Sequence, residues 1–119
     1  MEKILGPAKG LYQFVSFTEK INYYDACKAL TVDGFLPADL RELIALLVAF
    51  TKDKHDSRFS NLIGNWVCAP GDSYTEGASA DPCVPASYTA GPNRPTYLAA
   101  IYWLHHIYPS TQILVRLAD

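Results

Sequence analysis

Residues 69–95 read APGDSYTEGASADPCVPASYTAGPNRP, and how this stretch is read decides the fold. Pro, Gly, Ser and Asp crowd it, while segments of helical periodicity flank it on both sides. A connection well over about 15 residues long is uncommon in a compact domain and marks a functional loop or a disordered one. On that reading the chain is a helical domain with a long specialised loop.

The strongest periodicity precedes the loop. Pro37 to Lys52, PADLRELIALLVAFTK, places Leu40, Leu43, Ile44, Leu47 and Phe50 on one helical face. Pro37 suits a first helical turn, where its missing N–H is no loss. Asp39 and Glu42 lie near the positive end of this helix, and Lys52 near the negative end. A second helix is expected over 58–67, capped by Asp56 or Ser57, with Phe59, Leu62, Ile63, Trp66 and Val67 inward. After the loop, Pro95 opens an expected helix TYLAAIYWLHHIY, apolar nearly all round and ended by Pro109.

The termini are less decided. Residues 18–30 read as a helix, whereas Leu11–Phe17 fits a strand or a helix. Gln112–Leu117 alternates weakly and reads as a short strand that could pair with the first run as a two-stranded ribbon. The expected fold is therefore mainly α: one domain over 1–119, a bundle of about four helices, and an irregular loop at 69–95. Its expected core contains Leu40, Leu43, Leu47, Phe50, Leu62, Trp66, Leu98 and Ile101.

Composition removes several function classes. With 119 residues, half of them apolar, the chain can bury a core of its own. Ten Lys and Arg against twelve Asp and Glu leave a net charge of −2. That balance lacks the cationic surplus that sequence-independent nucleic-acid binding requires. No apolar run reaches the roughly 18 residues of a membrane span. The first residues, MEKILGPAKG, have neither the apolar core nor the cleavage site of an export signal, so a cytoplasmic location is expected. Cys27, Cys68 and Cys83 are odd in number and lack metal-site spacing. A Cys68–Cys83 bond would close a loop of about 15 residues, but the odd count without an export signal points to free thiols.

The candidate chemistry centres on Gly71-Asp72-Ser73-Tyr74-Thr75-Glu76-Gly77. This block resembles the first motif of the GDSL (SGNH) esterases and lipases. The resemblance implies Ser73 as nucleophile, with its backbone N–H helping to form an oxyanion hole. Gly91-Pro92-Asn93 resembles that family's later Gly-x-Asn block, and His105 or His106 would serve as base. The chain departs from the pattern elsewhere. Arg94 replaces an Asp, no Asp lies three residues before either histidine, and only residues 74–119 follow the serine. A metal-assisted hydrolase using His105 or His106 is a further alternative. Adjacent helical positions diverge by about 100°, so that site would need a third ligand from elsewhere. No metal site and no cofactor motif is assigned.

Eight tyrosines remain to be explained. Tyr74 and Tyr88 fall in the loop; Tyr97, Trp103 and His106 fall on the expected last helix. Tyrosine offers a large contact area at low entropic cost and is enriched at interfaces. The residues thus imply a non-catalytic protein-binding or assembly protein acting through 69–95 and the nearby aromatics. Small subunits, viral or phage accessory proteins and inhibitor-type proteins share this profile. The partner would be another protein or a second copy of the chain.

Overall fold

The computed structural model describes residues 3–9, 12–72, 74–75, 82–102 and 107–117. Among these residues eight strands form one mixed sheet: β1 (Lys3–Lys9), β2 (Tyr12–Phe17), β3 (Phe35–Pro37), β4 (Trp66–Cys68), β5 (Tyr74–Thr75), β6 (Pro82–Thr89), β7 (Thr96–Tyr102) and β8 (Gln112–Leu117). Two α-helices accompany it, α1 (Tyr23–Val32) and α2 (Leu40–Lys52), with a short 3-10 helix at Ser57–Leu62.

The order β1-β2-β8-β4-β6 forms the body of the sheet. β2 and β4 flank β8, the first antiparallel and the second parallel. β3 also pairs with β8, and β5 and β7 both pair with β6. The last strand in sequence is therefore central in space. Its residues Gln112, Ile113, Leu114 and Val115 are all buried. A strand covered on both faces reads as a continuous apolar run, not as a clean alternation.

Two hydrophobic layers follow from the period of two along each strand. Val15, Phe17, Cys68, Val84, Ala86, Ile113 and Val115 face Ala26 and Leu30 of α1. Phe14, Val67 and Leu114 face Leu43, Leu46, Leu47 and Phe50 of α2, with Phe59 and Leu62 of the 3-10 helix. Phe50 and Phe59 meet edge to face, with ring centroids 5.8 Å apart. The product is a helix–sheet–helix sandwich.

The helix starts are set by side-chain caps. Asp39 accepts the Glu42 N–H at 2.8 Å, and Glu42 accepts the Asp39 N–H at 3.1 Å, a reciprocal capping box. Asn22 caps α1 through the Asp25 N–H, and Asp56 caps the 3-10 helix through the Arg58 N–H. Among the described residues no helix is long and apolar enough to cross a membrane.

This architecture corrects the mainly-α expectation. The chain is a sheet with few short helices, not a four-helix bundle. Pro37 lies in β3 opposite Val115 instead of opening α2. The helix expected at 58–67 ends at Leu62, because Gly64 at φ +76° turns the chain into β4. The helix expected after Pro95 is strand β7, and 69–95 contains β5 and β6.

Pro85 made β6 hard to see, since proline is disfavoured in central strands. Here the Pro85 C=O accepts the Ala69 N–H, and its nitrogen turns the same way. That side of β6 is paired by β4 at Ala86–Tyr88 and by β5 at Pro82 and Cys83. Pro85 falls in the gap between them, so the missing N–H breaks no ladder bond.

Candidate functional site

The β6–β7 hairpin brings together two of the expected interface residues. Its turn closes with the Arg94 N–H donating to the Gly91 C=O at 3.1 Å. Next to it the Thr89 and Thr96 hydroxyls share a hydrogen bond of 2.7 Å across the strands. One step further along, Tyr88 stands opposite Tyr97. On its other side Tyr88 stands opposite Trp66 of β4, with ring centroids 5.4 Å apart and planes at 42°. The result is a row Trp66–Tyr88–Tyr97 running across three strands.

Period-two alternation puts Trp66 and Tyr88 on the same face as Cys68 and Ala86, which lie in the layer beneath α1. The row therefore extends that apolar face past the cover of the helix. Trp66 is 39% exposed and Tyr97 61%. On the opposite face of β7, Leu98 is 55% exposed. Trp66 was expected in the core and Leu98 likewise; both expectations fail because neither helix layer reaches this margin.

Tyr74 belongs to a different place. Its backbone pairs with Cys83, across β6 from β7 and toward the other end of the strand. Trp103 and His106 lie outside the described residues, as do Ser73 and His105 of the hydrolase alternatives. Trp66 is the functional candidate that sequence reasoning placed wrongly. Its signal is the run Trp66-Val67-Cys68 directly after Gly64-Asn65, a turn followed by strand formers.

The Gly71-Asp72 part of the esterase-like block has a structural task. The Gly71 N–H donates to the Ala38 C=O at 2.7 Å. A Cβ at Gly71 would stand 2.7 Å from that oxygen and 2.8 Å from the Pro37 oxygen, so only glycine fits without backbone movement. Asp72 Oδ2 accepts the Leu40 N–H at 2.8 Å, meeting one of the open donors at the start of α2. A carboxylate there also suits the helix dipole. Among the described residues no group of three or more His, Cys, Asp or Glu could hold a metal ion.

None of Cys27, Cys68 and Cys83 forms a disulfide. Burial pushes the Cys68 thiol well above its ordinary pKa, so it stays protonated and inert. Tyr12 is shifted up by burial and by the neighbouring Glu42 carboxylate, within a cluster that includes Arg116. A shallow hollow of about 540 Å³ over the outer side of α1 is lined by Tyr24, Cys27, Lys28, Thr31 and Val32. That lining offers no acid–base pair.

No family model, no curated protein and no solved structure matches the chain.

Proposed function

We propose that the chain is a non-catalytic protein-binding module whose docking surface is the sheet margin formed by β4, β6 and β7. The observation that supports this reading is the aromatic row Trp66–Tyr88–Tyr97, exposed at both ends and half-buried at Tyr88. Tryptophan and tyrosine are the residues most enriched among the anchors of protein interfaces. Here they are pre-positioned by strand pairing, so little side-chain freedom is lost when a partner arrives. The balanced charge fits a protein partner better than a phosphate backbone.

Random-peptide display against the immobilised protein tests the reading. Enriched peptides should lose roughly tenfold or more in affinity with Trp66→Ala and again with Tyr97→Ala, at about 1.4 kcal/mol per tenfold. Peptides that bind both variants as well as the parent would place the contact elsewhere and defeat the proposal.

A further inference from the structure

The backbone of β7 carries the reading of that margin one step further. In a strand, the N–H and C=O of one residue point to the same side, and successive residues point to opposite sides. The Ala69 N–H donates to the Pro85 C=O at 2.9 Å and the Gly64 N–H to the Thr89 C=O at 2.7 Å. Odd positions of β6 therefore turn toward β4, and Val84, Ala86 and Tyr88 turn toward β7. The register sets these opposite Ile101, Ala99 and Tyr97. It follows that Thr96, Leu98, Ala100 and Tyr102 direct their N–H and C=O groups away from β6. Among the described residues β7 pairs with β6 alone.

We propose that this open edge pairs with β7 of a second copy of the chain, antiparallel about a two-fold axis at Ala99, to make one continuous sheet. The inference rests on the protein-binding reading of the margin and names its partner. Three features favour a second copy over an unrelated strand. The outward-pointing positions match under the two-fold: 98 meets 100 and 96 meets 102, so donors and acceptors face each other along the whole strand. The sequence is self-complementary, with an aromatic or aliphatic residue at both members of each pair, 98 with 100 and 97 with 101. Nothing in TYLAAIY is charged, so no like charges meet at the axis. An edge contact of two seven-residue strands falls at the small, weak end of specific interfaces, so the dimer should be reversible.

Sedimentation velocity across a concentration series, from about 1 μM to about 0.3 mM, suits a contact of that size. The wild-type chain should pass from monomer to dimer. Ala99→Lys and Ala99→Glu each set like charges face to face at the axis. Each should weaken association at least tenfold, with an unchanged circular dichroism spectrum. Mixing the two variants should restore a dimer, because opposite charges then meet. Leu98→Pro removes an outward N–H without touching the bonds to β6, and it too should weaken association. In the wild type, hydrogen exchange at the Leu98 and Ala100 amides should slow as concentration rises.

A wild type that stays monomeric throughout overturns the proposal. So does an Ala99→Lys chain that dimerises as tightly as the parent, or a folded Lys/Glu mixture that fails to associate. Amide protection at Leu98 and Ala100 that ignores concentration has the same force, whatever the variants do. A monomeric chain that still binds display-selected peptides through Trp66 and Tyr97 would replace the second copy with an unrelated strand. It would leave the protein-binding reading intact.

Discussion

The two margins of the sheet are built on opposite rules. β1, at one side, reads KILGPAK, with a lysine at each end and Gly6-Pro7 in the middle. Its register against β2 shifts between Leu5 and Ala8. Lysine, proline and register breaks are the devices by which natural sheets prevent edge-to-edge pairing. β7, at the other side, reads TYLAAIY, uncharged and free of proline, and its register against β6 is unbroken from Thr96 to Tyr102. One margin carries the features that discourage further pairing, and the other, among the described residues, pairs on one side only. The contrast favours the β7 margin for the proposed docking surface where an undifferentiated count of exposed apolar residues would not, since α1 and α2 also expose Tyr24, Val32, Ile44 and Val48.

The largest expected effect separates the covered centre from the bare margin. Leu114 is fully buried in β8 and Leu98 is 55% exposed in β7. Leu114→Ala should cost about 2–5 kcal/mol in denaturant titration, whereas Leu98→Ala should cost less than about 0.5 kcal/mol. Similar losses at both would mean that a layer covers β7 after all, and the margin would not be open.

A middle-sized effect probes where the cover of α1 stops. Cys68 is sealed beneath it, while Trp66, two residues earlier on the same face, is not. The folded state holds the Cys68 proton above the ordinary thiol pKa. Its contribution to stability is therefore complete below about pH 8.5, the unfolded value, and is lost as pH rises toward the raised folded value. The thermal midpoint should fall between neutral and strongly alkaline pH, and more shallowly in Cys68→Ala. Identical slopes would show that the thiol is not sealed.

The smallest effect on stability tests the closed margin. Replacing Lys3 and Lys9 with Thr and Pro7 with Val should change stability by no more than about 0.5 kcal/mol if these residues guard an edge and support no core. The same variant should gain concentration-dependent association that the parent's β1 lacks. Unchanged sedimentation would mean that β1 is protected by something other than its composition.

Local signals were legible where a few neighbouring residues decide the outcome. Asp39 with Glu42 and the Leu43–Leu47–Phe50 stripe define α2, and Asp56 opens the 3-10 helix as a cap should. The core positions Leu43, Leu47 and Phe50 are buried, because period 3.6 is a property of the segment itself, and Leu62 is buried at the end of the 3-10 helix. Strand β6 was not legible. Five of its eight residues are Pro, Cys, Ala or Ser, small residues that suit a strand pressed between two neighbours and that resemble a loop in isolation. Strand β7 was misread because an all-round apolar segment satisfies a buried helix as well as a strand. Of the site, Tyr88 and Tyr97 were named as interface residues, but their alignment with Trp66 depends on register.

By itself, then, the sequence determined the body of α2 with Leu43, Leu47 and Phe50 inward, and the near-neutral charge, whereas Ile44, expected on the same face, is exposed and Leu46 is buried instead. Each of these is a matter of neighbours within a few residues along the chain. Only the tertiary structure decided that β8 is central, that Pro85 falls in a gap between β4 and β5, and that TYLAAIY is a strand which, among the described residues, pairs with β6 alone. Those outcomes depend on hydrogen-bond partners far away in sequence, and backbone donors and acceptors carry no residue-specific code by which one strand could announce another.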